Sequence, residues 1–112
     1  MSDVTLTALH TALRGLADRQ RVIATNTANI QTPGFRAGRV SFEDQLASAL
    51  ASGADADVAP TRQTSLEPTR LDGNNVNLDR ETLLGIDTQL RYQLMVRAMD
   101  AKFGLIRTAI RG

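Results

Sequence analysis

The sequence contains no cysteine and no tryptophan, one histidine, and a single lysine, Lys102, among its 13 basic residues. Without cysteine there is neither a disulfide nor a thiolate metal site, a composition that suits an oxidising or a reducing compartment alike. The lone imidazole, His10, sits beside Leu9 with no pair of acids at metal spacing, so a packed or solvated helix residue is expected rather than a base or a ligand. Rings are scarce: Phe35, Phe42, Tyr92 and Phe103 are the only ones. A broad globular core uses more large rings than that, so the core is expected to be narrow. No apolar run approaches the roughly 18 residues of a membrane span. The start, Met1-Ser2-Asp3, lacks a basic n-region, and Arg14 interrupts any apolar h-region. By those rules the chain is expected to be soluble and not secreted by the general route.

What is present points to one domain: 112 residues, 42% of them apolar, with a net charge of +1. Charge is unevenly spread. Residues 1–40 hold five arginines against Asp3 and Asp18, a balance of +3. Residues 41–76 hold six acids against Arg62 and Arg70, a balance of −4, and residues 77–112 hold six bases against four acids, a balance of +2. The early arginines (Arg14, Arg19, Arg21, Arg36, Arg39) are dispersed and have no stacking aromatics among them, so no nucleic-acid partner is expected.

Leu6, Leu9, Leu13, Leu16, Ile23 and Ile30 follow a 3-4-3-4 spacing, with Gln20 and Thr27 at the two missing steps. That is nearly four heptads of a coiled-coil seam and predicts a helix from about residue 4 to about residue 30. Ser2 or Asp3 can cap it. Pro33 forces Thr32 out of the helical region and Gly34 supplies the positive φ of a type II turn, which ends it. A short helix over 42–50 is suggested by Ser41 and Asp44, arranged as in a capping box ahead of Leu46 and Leu50. Residues 51–76 are poor in apolar side chains and read as a long loop.

A second long helix is predicted from about Asn77 to Arg111, capped by Asn75 or Asn77, with Asp79 and Glu81 in its first turns. Its apolar residues include Leu83, Leu84, Leu90, Leu94, Met95, Val96, Met99, Phe103, Ile106 and Ile110. Several recur at eleven residues, among them Tyr92 with Phe103, a spacing that keeps a stripe nearly straight. Gly85 and Gly104 each cost about 1 kcal/mol relative to alanine, so close packing or compliance is expected there. The fold class read from this pattern is all-α. Residues 1–32 and 77–112 supply two long helices that pair as an antiparallel coiled-coil-like hairpin, joined by an irregular segment over 33–76. Leu6, Leu9, Leu13 and Leu16 are expected to meet Leu90, Val96, Met99, Phe103 and Ile106. Two paired helices bury one stripe each and leave the flanks wet, while ordering costs about 1–2 kcal/mol per residue. The remaining burial must come from other chains, which makes this an assembly subunit.

Chemistry is thinly represented. Glu43 and Asp44 are adjacent and face different ways, so they form no acid–base pair. Asp55 and Asp57 lack the glycine and glutamate of a calcium loop. There is no phosphate-cradling glycine loop and no serine or threonine beside a histidine base. No enzyme, cofactor or small-molecule substrate is expected.

Residues 26–36 stand apart: Asn-Thr-Ala-Asn-Ile-Gln-Thr-Pro-Gly-Phe-Arg. Asn26 and Asn29 are one turn apart at a helix end, where their amides can bind freed carbonyls or a neighbouring backbone. Phe35 follows as an isolated ring that needs burial. Asn26, Ala28, Asn29, Thr32, Pro33, Gly34 and Phe35 resemble the signature that ends the first helix in the flagellar axial family of rod, hook and hook-associated proteins. A second block, residues 73–81 with Asn75 and Leu78, narrows the resemblance toward proximal-rod members, as do Leu90-Arg91-Tyr92-Gln93 and Lys102-Phe103 near the end. The resemblance covers about residues 4–45 and 73–112. The middle segment is short for the family, and Thr27 and Gly85 stand where better helix formers are usual.

That resemblance implies terminal helices paired in the inner layer of a hollow tube that transmits torque and surrounds the export channel. It implies export through the flagellar type III apparatus without a cleaved signal, and assembly in the periplasm. The implied partners are other copies of the chain, neighbouring rod subunits, and membrane-ring, export-gate and rod-adaptor proteins at the rod base. Two other readings are a different axial rod subunit and a cytosolic coiled-coil adaptor or nucleic-acid binder.

Overall fold

The computed structural model describes residues 4–111. In order these form α1 (Val4–Ala28), β1 (Gly38–Ser41), α2 (Glu43–Ser52), β2 (Thr61–Thr64) and α3 (Leu78–Arg111). With 25 and 34 residues, α1 and α3 are about 37 and 51 Å long. They run antiparallel: Ile23 lies against Gly85, Gln20 Nε2 donates to Gln89 Oε1 at 2.7 Å, and Tyr92 and Met95 pack on the cluster that contains Leu16. The Cα extents are 64 × 26 × 14 Å and the radius of gyration is 17.4 Å, against about 13 Å for a compact domain of this length. The body is a slat, and its core is correspondingly narrow: Leu16, Val22, Val40 and Phe42, flanked by Ala12, Leu46, Tyr92 and Met95.

The chain is mostly helical but not all-α. Residues 61–64, expected to be loop, pair antiparallel with β1 in the register Gly38↔Thr64 to Ser41↔Thr61. Only Val40 of the eight strand residues is buried, and β2 is exposed throughout, so the strands carry no apolar alternation to announce them. The sheet is held by backbone pairing and by what lies beneath it on α1.

Helix ends follow local chemistry. Beyond Ala28, Phe35 N–H donates to Thr32 C=O at 3.2 Å and Gly34 has φ 76°, the arrangement of Pro and Gly in a type II turn. Helix α2 begins at Glu43, but not through a capping box: Ser41 Oγ instead meets Thr61 Oγ1 across the sheet at 2.9 Å. Glu43 and Asp44 in its first turn complement the dipole. Asn77, not Asn75, caps α3, its Oδ1 accepting from Arg80 N–H at 3.1 Å.

The inward stripe of α3 differs from the eleven-residue reading. Glu81, Gly85, Thr88, Tyr92, Met95, Met99, Lys102 and Ile106 are buried or half-buried, at a steady 4-3-4-3 spacing. Helices lying side by side stay in contact at a period of 3.5 residues, which favours this set over a straight stripe. Leu90, Val96 and Phe103 therefore turn outward in the monomer, Leu90 being 62% exposed, and do not fill the seam. On α1, Leu16 is buried, and Leu6, Leu9, Leu13 and Ile23 are half-buried.

Candidate assembly site

Helix α1 has a second buried stripe, made of Thr11, Gly15, Asp18, Val22 and Asn26. Apart from Val22 it is polar or small, and its members hold the middle segment at successive points from Gly38 to Arg62. Thr11 Oγ1 donates to Ala56 C=O at 2.7 Å. Gly15 admits the Phe42 ring so closely that an added Cβ would lie 2.3 Å from Phe42 Cδ1. Asp18 receives Arg62 Nε at 3.1 Å, a further Arg62 guanidinium N–H, and Arg21 at 3.3 Å. Val22 packs where a Gly38 Cβ would come within 3.0 Å of its Cγ1. Asn26 pairs with the backbone of Gly38 in both senses: Gly38 N–H donates to Oδ1 at 2.9 Å and Nδ2 donates to Gly38 C=O at 3.0 Å.

This last residue opens a buried polar junction where α1, β1, the 65–76 segment and the start of α3 converge. Asn26 Nδ2 also donates to Glu81 Oε1 at 2.8 Å. Glu81, 1% exposed, receives Arg39 on both oxygens, at 3.3 and 3.0 Å. A buried carboxylate is tolerable only when saturated in this way, and removing one partner of such a pair costs about 3–5 kcal/mol. Asn74 Nδ2 closes the end of α1, lying 2.9, 3.2 and 2.8 Å from the carbonyl oxygens of Asn29, Ile30 and Thr32, while its Oδ1 accepts from Val76 N–H. Asn75 Oδ1 accepts from Ala37 N–H at 2.7 Å, and Nδ2 donates to Ser65 and Glu67 carbonyls. Arg70 bridges Val76 C=O and Ile30 C=O, both at 2.6 Å. Gly34 N–H donates to Asp72 C=O at 2.8 Å, so the turn is tied to the loop opposite.

The signature residues thus divide. Asn26 and Asn75 are buried. Asn29, half-buried, donates its Nδ2 to Thr25 C=O at 2.8 Å and accepts from the Thr32 hydroxyl, so it braces the helix end locally and does not share the task of Asn26. Phe35 is half-buried at the edge of a shallow cavity of about 200 Å³ that Arg21, Arg36 and Arg62 also line. Ala28, Thr32, Pro33, Gly34, Leu78 and Phe103 are exposed, and Tyr92 sits in the seam. Sequence reading placed Asn74 and Glu81 in the 73–81 block without assigning either a contact, and gave Arg39 and Arg70 no part in the site. The adjacent asparagines Asn74-Asn75, beside the turn former Gly73, were the available signal.

The carboxylates at the edge of the slat are held ionised. Hydrogen bonds from Arg62 place Asp18 below the ordinary carboxylate range, against the opposing effect of burial, and raise Arg62 in turn. Glu43 is lowered chiefly by hydrogen bonds from Arg19, whose fork meets both oxygens at 2.6 and 2.7 Å. The same guanidinium donates to Val40 C=O and lies 5.2 Å over the Phe42 ring, joining α1, β1 and α2 at one point.

Around this locked frame the surface is apolar where a monomer would keep it polar. Leu83, Ile86, Leu90, Leu94, Leu105 and Ile110 of α3 are all more than half exposed. A groove of about 440 Å³ between α1, α2 and α3 is lined mainly by apolar side chains. Among the described residues no cluster of histidine and carboxylates could hold a metal, and no helix is long and apolar enough to cross a membrane. His10 is exposed beside Asp55 and Asp57. The arrangement fixes backbone geometry and presents apolar surface.

A thin pair of long terminal helices, clamped at one end by an asparagine-rich junction and bare along one face, defines a structural subunit of a larger assembly. No family model matches the chain. It is, however, 32% identical to the flagellar basal body rod protein FlgB of Bacillus subtilis, across 96% of this chain and 94% of that protein. The FlgB proteins of Escherichia coli and Borrelia hermsii are also 32% identical, over 89% and 91% of this chain and 88% and 92% of their own lengths. The chain belongs to the FlgB family of flagellar basal body rod proteins, and its role is structural.

Proposed function

We propose that this chain builds the proximal part of the flagellar rod. Segments 1–32 and 77–112 form the inner coiled-coil layer of a tube that transmits torque and surrounds the export channel. The observation that carries this reading is the outer stripe of α3. Its exposed leucines and isoleucines would each gain about 1.5–3 kcal/mol on full burial, and neighbouring subunits provide that burial. The exposed signature residues Ala28, Thr32 and Pro33, together with Leu78, Leu90, Val96 and Phe103, then face other copies or neighbouring rod subunits. Membrane-ring, export-gate and rod-adaptor proteins meet the rod at its base. The chain reaches the periplasm through the flagellar type III apparatus without a cleaved signal.

Deletion of the gene, scored for swimming and for basal bodies in electron micrographs, tests this reading. Non-motile cells with a membrane ring and no rod, restored by the intact gene, are expected. Motile cells with complete rods would overturn it and favour a cytosolic coiled-coil adaptor.

A further inference from the structure

The shallow cavity beside Phe35, about 200 Å³ in volume, carries charge of one sign. Arg21, Arg36 and Arg62 line it, Phe35 and Val22 give it an apolar wall, and no acid is among its lining residues. Among the described residues, the one carboxylate that these guanidinium groups meet is Asp18, itself buried. Three arginines against one aspartate leave a local balance of +2. Hydrogen-bonding capacity is left over as well. Arg62 gives Nε and one terminal nitrogen to Asp18, and Arg21 gives one terminal nitrogen. The side chain of Arg36 is exposed and meets no acid among the described residues. Asp18 thus holds two of the three arginines in place, and their remaining donors need little reordering to meet a ligand.

A second feature adjoins the first. Strand β2 pairs only with β1 in a two-stranded sheet, and all four of its residues are exposed. Its other edge therefore turns main-chain N–H and C=O groups to solvent, the template on which an extended peptide adds itself as a further strand. Arg62 belongs to both features, since it stands on β2 and its guanidinium lines the cavity. A free anion would use the arginines alone. A peptide strand would use the arginines, the apolar wall and the open edge together. In such a strand side chains alternate, so acids at i and i+2 share one face about 7 Å apart. Pairing β2 with the β2 of a second copy would bring two basic cavities together, so charge disfavours self-pairing at this edge.

We infer that the edge of β2 and the cavity lined by Arg21, Arg36 and Arg62 form a docking site for an extended acidic segment of a partner protein. The partner's backbone pairs with β2, and its carboxylates, two residues apart, enter the cavity and meet the guanidinium groups. This adds a partner chemistry to the reading of the chain as an assembly subunit, and its test in solution stands whether or not that reading does.

The probe is a fluorescent synthetic peptide that alternates glutamate with threonine, titrated with the purified full-length chain and read by anisotropy. Arg36→Glu should weaken binding about tenfold, the change expected from losing one charge-assisted hydrogen bond. The fold is left intact by this variant, because the Arg36 side chain is exposed. Arg97→Glu makes the same charge change at an exposed position on α3, outside the cavity, and should leave binding unchanged. Methylating alternate peptide nitrogens on the side that faces β2 should also weaken binding about tenfold, since each loses a main-chain donor while the carboxylates remain. The lysine counterpart of the peptide should bind the wild-type chain least and gain affinity for the Arg36→Glu chain. An acidic peptide that does not bind, or that Arg36→Glu and Arg97→Glu weaken equally, overturns the docking. If methylation has no effect and inorganic phosphate displaces the peptide, the cavity takes any oxyanion and the strand docking falls. Tighter binding of an oligothymidylate than of the peptide would overturn it in favour of nucleic acid.

Discussion

The two ends of this slat are stabilised by opposite means. At the junction, Asn26, Asn74, Asn75 and Glu81 are each at most 4% exposed, and their polar side-chain atoms are satisfied by named partners. Along α3 beyond the junction, apolar side chains on the outer face are in water. Hydrogen-bond networks demand fixed distances and angles, whereas apolar contact tolerates sliding. The molecule therefore combines a rigid clamp, which sets the geometry of the chain, with a compliant face left for neighbours.

Substitutions can break that contrast. The largest effect is expected from Asn26→Leu, which strands Gly38 N–H and C=O and removes a donor from Glu81. Urea titration should show a loss of about 3–5 kcal/mol, and a loss below 1 kcal/mol would mean the junction is not a clamp. Next comes Gly15→Ala, where the new Cβ meets the Phe42 ring 2.3 Å away and forces helix and strand apart. A cost of about 1–3 kcal/mol is expected from the same titration.

Acid should loosen the edge more gently. Asp18 and Glu43 are depressed below their ordinary values of 3.8 and 4.5, so the folded state favours the ionised forms. The stability this gives is complete above those values and is lost as pH falls through them toward the folded-state values. The urea midpoint should drop below about pH 4.5, and Asp18→Asn should flatten part of that drop. Smallest is Leu90→Ser on the bare face. Monomer stability should change by no more than about 0.5 kcal/mol while rod incorporation in cells falls sharply, and equal losses in both would erase the distinction between clamp and face.

Hydrophobic spacing made the long helices legible, because both have one apolar seam and sharp stops. It could not reveal the second stripe of α1, where Thr11 and Asn26 are buried against backbone groups, Gly15 against the Phe42 ring and Asp18 against the Arg62 guanidinium. The sheet was hidden for a related reason: Gly38–Ser41 and Thr61–Thr64 pair through main-chain groups and bury almost nothing. On α3 the richest apolar positions, Leu83, Leu90 and Leu94, suggested the inner face and proved to be the outer one. Glu81 and Thr88, which line the inner face, carry no apolar signal. The signature asparagines were visible as a motif, but which carbonyl or amide each one holds depends on how the chain folds back, as when Asn75 accepts from Ala37 N–H, 38 residues away.

The 14 Å depth of the slat has a thermodynamic consequence. A body one helix layer deep has no interior along that direction, so a large share of the burial available to it lies in contacts between molecules. Its melting temperature should therefore rise with protein concentration, by mass action: a binding partner at one hundred times its dissociation constant adds about 2.7 kcal/mol. Such a subunit is easily unfolded alone and durable in company, and the same sequence has two stabilities set by the number of its neighbours.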